Sequence, residues 1–101
     1  NIAQAFYLGN LVEKEQNLQL LTPVTLNIVC FRYIKKNISE KDLNLLNKEI
    51  LMQLQEQGIA SPSSTLLHGK YAIRVCFVNH RTRKEDIELL IKETIRIGKT
   101  L

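Results

Sequence analysis

Leu26–Ile34, LNIVCFRYI, and Tyr71–Asn79, YAIRVCFVN, are the two stretches on which the fold of this chain turns. Each is a run of β-branched, aromatic and other apolar residues interrupted by one arginine, and each reads as a strand. An antiparallel sheet with one wet face should alternate apolar with polar residues. Neither stretch does. In the first, Ile28, Cys30 and Ile34 share one face and Val29, Phe31 and Tyr33 the other. In the second, Tyr71, Ile73, Val75 and Phe77 oppose Ala72, Cys76 and Val78. Both faces are apolar, so both should be covered.

Working outward, His68-Gly69-Lys70 is a tight connection that joins the second stretch to a short strand, Thr65 to His68, as an antiparallel hairpin. Ser61-Pro62-Ser63-Ser64 reads as a loop. Before it, Ser39 with Asp42 marks a helix start, Leu43, Leu46, Ile50 and Leu54 recur at helical spacing, and Gly58 closes the helix. Leu18 to Leu21, ended by Thr22-Pro23, is a short or edge strand. Asn1 to Glu15 reads as a helix with an apolar stripe of Ile2, Ala5, Phe6, Gly9 and Val12. Thr82 with Glu85 forms a capping box for a last helix that buries Ile87, Leu90, Ile91, Thr94 and Ile95 and ends at Gly98. The order is α-β-β-α-β-β-α. The class is α+β, with a mainly antiparallel sheet that holds the strands of Cys30 and Cys76 together. The short connections favour helices on one face only. The other face then wants a partner, and the isolated domain should self-associate or expose a broad apolar surface.

The chain's 101 residues suit one domain and are too few for two. At 45% hydrophobic and 24% charged, the composition is that of an ordinary folded protein, which sets disorder aside. No apolar run approaches the ~20 residues of a membrane helix, and no secretory leader opens the chain. The first residue is Asn1 and not Met, as in a fragment or processed product. The net charge of +4 is spread over Lys35, Lys36, Arg81, Arg83, Lys84, Arg96 and Lys99, with no interleaved aromatics. That argues for solvated faces and against nucleic acid.

Cys30 and Cys76 lie inside the two apolar stretches and read as buried thiols of a reducing, cytoplasmic compartment. A cross-strand disulfide is the alternative. A metal site built from Cys76, His68 and His80 would straddle a strand and fits no familiar zinc spacing, so no metal is expected. There is no phosphate loop, no H-E-x-x-H and no G-x-S-x-G, and the acidic pairs belong to helix surfaces. No catalytic residue is expected in the chain. Arg32 and Arg74 remain, one in each stretch. An arginine in a mostly buried strand needs acceptors, because an unpaired buried charge is costly. The acceptor is either a local carboxylate or an anion from outside the domain, held by the planar fork.

Two segments, LLTPVTLNIVCFRY and LNKEILMQLQEQGIASPSSTLLHGKYAIRVCFVNHRTRKEDIELLIKETIRIG, together resemble the carboxy-terminal end of the group II pyridoxal-phosphate decarboxylases. The landmarks are Cys30-Phe31-Arg32, Gly58, Gly69-Lys70, Arg74, Asn79 and Asp86-Ile87, in order and at the family's spacing. The resemblance covers nearly the whole chain and is weakest in the first helix. It implies that residues 1–101 are a single C-terminal small domain of a fold-type I enzyme, packed beside the large domain. The parent would be a homodimeric amino-acid decarboxylase that releases carbon dioxide and an amine. Its lysine, in a His-Lys dipeptide that this chain lacks, belongs to the large domain, as does the residue that pairs with the pyridine nitrogen. The fragment should therefore hold no cofactor and no activity. Arg74 takes the place of a family arginine that reaches the substrate carboxylate, and Arg32 that of one with a structural role. The alternative is a stand-alone, non-catalytic α+β binding or regulatory module.

Overall fold

Phe31 and Ile73 lie opposite one another in the central strand pair, and the sheet grows from there. The structure is a computed structural model and describes residues 1–78 and 82–101. Its elements are α1 (Ile2–Lys14), β1 (Leu18–Leu20), β2 (Ile28–Tyr33), α2 (Glu40–Glu56), β3 (Ser63–Leu67), β4 (Lys70–Cys76) and α3 (Lys84–Thr100). The strands form one antiparallel sheet in the order β1-β2-β4-β3. The expected α+β class, element order and shared sheet are all present.

The hairpin β3–β4 turns at His68-Gly69, both in the left-handed region (φ 53° and 79°), the geometry of a two-residue loop that suits strand twist. Ser39 caps α2 by accepting from the Asp42 N–H at 3.1 Å. At the other end Gly58 (φ 70°) lets the Ile59 and Gly58 N–H groups bond back to Leu54 and Gln55 carbonyls, closing the helix.

All three helices stand on one face. Val29, Phe31 and Tyr33 of β2 and Ile73, Val75 and Phe77 in and just past β4 meet Ala5, Leu8 and Val12 of α1, Ile50, Leu51 and Leu54 of α2, and Ile87, Leu90, Ile91 and Ile97 of α3. The central ladder places Phe31 opposite Ile73, so Tyr33 and Tyr71 would pair next. They do not. The Tyr33 N–H donates to Asn47 Oδ1 at 2.7 Å, and Asn47 Nδ2 donates to the Tyr33 and Leu43 carbonyls, both at 2.9 Å. The Tyr71 N–H donates to Asn44 Oδ1 at 2.9 Å, and Asn44 Nδ2 donates to the Gly69 carbonyl. Two α2 carboxamides thus replace the missing ladder bonds where the strands part.

Several local readings need correction. On α1 the buried residues are Ala5, Leu8, Gly9 and Val12, while Ile2 and Phe6 are each 52% exposed. The reason is Gly9, which rests on Val24: a Cβ there would meet Val24 Cγ2 at 2.5 Å. Ser63 and Ser64 pair with Arg74 and Ile73 and belong to β3, not to the preceding loop. The last helix starts after Arg83, not Thr82, because the Asp86 carboxylate captures the Arg83 N–H at 2.9 Å. Gly98 does not end α3; it is buried inside it, under the Tyr33 ring, where a Cβ would fall 2.5 Å from Cε2. The expected strand end at Asn79, with His80 and Arg81, lies outside the described residues.

Asn47→Leu keeps the branched shape of the side chain but removes the partner of the two buried Tyr33 backbone groups. It should destabilise the fold by about 2–4 kcal/mol. Urea unfolding measures this, and a loss within error of zero would contradict the role given to Asn47.

Candidate functional site

The sheet face opposite the helices carries Gln19 of β1, Cys30 and Arg32 of β2, Ala72, Arg74 and Cys76 of β4, and Ser63 and Thr65 of β3. The two arginines share this face and differ in every other respect. Arg32 is 4% exposed. Its Nε donates to Gln19 Oε1 at 2.7 Å, and its Nη1 and Nη2 donate to Glu40 Oε2 and Oε1 at 2.8 and 3.3 Å. The fork is filled by β1 and the start of α2, so Arg32 is structural.

Arg74 is half-buried between Cys30 across one ladder and Ser63 across the other, with Ala72 and Cys76 beside it along β4. Among the described residues the ion pairs are Arg32–Glu40 and Arg96–Glu93, and no side chain hydrogen-bonds the Arg74 guanidinium. The two local candidates are engaged elsewhere: Asp86 on the Arg83 N–H and Glu49 on Gln53. The small neighbours leave the fork open toward the side without helices.

Cys30 is buried and Cys76 half-exposed, which corrects the expectation of two buried thiols; both are free. Burial pushes the Cys30 thiol up, against the Arg74 charge and a hydrogen bond from Thr22, so its surroundings on balance disfavour the thiolate. Tyr7 is pushed up to about 12, first by its hydrogen bond to Glu88, and ties α1 to α3 instead of trading protons. Among the described residues no three His, Cys, Asp or Glu side chains gather as a metal site.

The open face is less apolar than the strand pattern led us to expect. Its centre is small or charged: Cys30, Ala72, Arg32 and Arg74. Large exposed side chains sit at one end, Leu26 and Val78, each 72% exposed. Pairing by arginine and the small volume of cysteine and alanine account for the difference.

No family model matches the chain. In sequence it is 35% identical over 81 residues to an aromatic-L-amino-acid decarboxylase of Bacillus atrophaeus, covering 78% of this chain and 17% of that protein. It is 34% identical over 78 residues to a phenylacetaldehyde synthase of Arabidopsis thaliana, covering 77% and 16%. In structure it superposes on Oryza sativa TDC with PLP and tryptamine at a TM-score of 0.88 and 18% identity, over 98% of this chain and 22% of that one. It also superposes on the glutamate decarboxylase domain of a Vibrio parahaemolyticus diaminobutyrate-pyruvate transaminase and L-2,4-diaminobutyrate decarboxylase, with a TM-score of 0.85, 24% identity, and coverage of 99% and 21%. The fold is that of one domain within PLP decarboxylase structures. The chain is similar to one part of aromatic-L-amino-acid decarboxylases and related group II pyridoxal-phosphate decarboxylases, and it spans about a sixth of the length of these two curated relatives.

Pyridoxal phosphate takes a lysine in imine linkage, with a charged partner at its ring nitrogen. The residues of this chain do not fit that group by themselves: of nine lysines, eight are exposed and Lys70 is half-buried at the Gly69 turn.

The Arg32 pair makes stability pH-dependent. Arg32 holds the Glu40 carboxyl below its ordinary value of 4.5, first by hydrogen bonding and then by charge, against the desolvation that raises it. A lowered folded value means that the contribution is present above the ordinary value and is lost as pH falls through the lowered one. Melting temperature should thus fall more steeply below pH 4.5 in the native chain than in Glu40→Gln. Parallel curves would remove Glu40 from the account.

Proposed function

We propose that this chain is the C-terminal small domain of a PLP-dependent L-amino-acid decarboxylase, and that Arg74 receives the carboxylate of the substrate. One observation carries the reading: a half-buried guanidinium on the open face without an acidic partner among the described residues, beside an arginine on the same face that is fully paired. A planar fork on a carboxylate gives an oriented, charge-assisted pair, and the small Ala72 and Cys76 leave room for it.

On this reading the large domain of the same polypeptide covers the open sheet face. It also seats the cofactor, which supplies the electron sink for loss of carbon dioxide. Arg74 binds and orients the substrate; it does not move protons. The 101 residues alone hold no cofactor and turn over nothing. The whole protein works as a cytoplasmic homodimer. The similarity to a phenylacetaldehyde synthase makes the product the point to measure, amine or aldehyde.

The gene offers the first test: several hundred codons ahead of Asn1, encoding a His-Lys dipeptide, are expected. Kinetics on the full-length protein with PLP offers the second. Arg74→Lys keeps the charge and loses the fork, so kcat/KM should fall about tenfold to a hundredfold, mostly through KM. An unchanged kcat/KM would end the substrate-contact reading, and a full-length protein that releases carbon dioxide from no L-amino acid would end the decarboxylase reading.

A further inference from the structure

The outer face of α2 has a pattern that its own domain does not use. The helix buries Leu43, Asn47, Ile50, Leu51 and Leu54. On the opposite side, two turns apart, Leu45 and Met52 are 57% and 45% exposed. One flank of this row carries Lys41 and Lys48; the other carries Asp42, Glu49 and Glu56, all exposed. Residues three and four apart are neighbours on a helix, and opposite charges at those spacings stabilise it. None of these five charges has an opposite charge three or four residues away. None joins the ion pairs found among the described residues, Arg32–Glu40 and Arg96–Glu93. The signs are sorted to the two sides of an apolar row instead of mixed.

Such a face is complementary to itself in one arrangement only. If two copies of α2 lie parallel about a two-fold axis running between them, the basic flank of each meets the acidic flank of the other. Consecutive residues differ by only about 1.5 Å in height along a helix, so Lys41 meets the second copy's Asp42, and Lys48 its Glu49. Leu45 and Met52 each meet their own counterparts on the axis. An antiparallel pair about a two-fold would set lysine against lysine and carboxylate against carboxylate. We propose that the outer face of α2 is a pairing surface for α2 of a second copy of this chain, parallel and in register. The apolar row is short, so the four interchain ion pairs set its specificity and make it sensitive to salt. This surface lies on the far side of the domain from Arg74 and does not depend on the decarboxylase reading. In a protein already dimeric through another two-fold, it would join dimers.

The test is site-directed cross-linking in the full protein that carries this chain. Under mild diamide oxidation, Leu45→Cys and Met52→Cys should each form a disulfide-linked dimer. The unsubstituted protein, with Cys30 and Cys76 in place, and Lys92→Cys on the exposed side of α3 should not. In the Leu45→Cys background, reversing one flank with Lys41→Glu and Lys48→Glu should cut the yield at least about tenfold, as like charges then face each other. Adding Asp42→Lys and Glu49→Lys exchanges both flanks and should restore it. Circular dichroism checks that these surface changes keep the fold. No dimer through position 45 or 52 overturns the proposal, as does a yield indifferent to charge reversal. A mixed Leu45→Cys with Met52→Cys product stronger than either like pair would show an antiparallel contact and overturn it too.

Discussion

Tyr33 ends β2, and both of its inward backbone groups terminate on one buried side chain, Asn47. The neighbouring Arg32 points to the other side of the sheet and grips Glu40 at the start of α2. Two consecutive strand residues therefore hold the same helix from opposite faces, at points two turns apart. Much of the architecture follows from that grip. It sets α2 across the end of the sheet, so that Asn44 can reach the hairpin at Tyr71 and Gly69. It also fixes the Tyr33 ring, against which Gly98 lets α3 approach. A polar group buried without a partner costs more than the bond it forms contributes. A shift of α2 would leave both Tyr33 groups without a partner.

How much of this was legible depended on whether the cause was local. The His68-Gly69 turn, the Ser39 cap and the Gly58 close are each decided within a few residues, and each could be read from the chain. The double-sided strands pointed to two covered faces, and it was the short connections between elements that pointed to helices on one of them. Asn47 could not be read. At a core position of a helical stripe, an asparagine looks like a lapse in the pattern, and its partners lie fourteen residues away in β2. Gly98 was misread for a related reason. Near the end of a helix glycine usually means a stop, and only the Tyr33 ring, sixty-five residues distant in sequence, shows that it means close approach. The Thr82–Glu85 pairing was one residue out because Asp86 competes for the same turn.

The candidate site divides along the same line. That one or both strand arginines need acceptors follows from charge and burial alone. Which of them finds an acceptor at home does not, because Gln19 and Glu40 reach Arg32 from two different elements. With Arg32 satisfied and Arg74 flanked by Cys30, Ala72, Cys76 and Ser63, the open face is not simply hydrophobic surface awaiting cover. It is a mostly small-residue floor with one half-buried cation that no acidic side chain among the described residues pairs.

That floor limits what can sit on it. Val29, Phe31, Ile73 and Val75 place their bulk on the helix side, so the sheet's apolar packing lies there, and the open side adds the polar grip of Arg32 on Gln19 and Glu40. Ala72 lies outside that core yet is itself fully buried, so enlarging it would crowd its neighbours on the open side, the Arg74 fork among them. The residues that build the fold and those that shape the site thus alternate along the same two strands. Cys30 marks the boundary between the two roles. It is buried enough for its thiol to be pushed up, yet close enough to Arg74 for that charge to oppose the shift. A carboxylate brought to Arg74 would offset the cation that favours the thiolate.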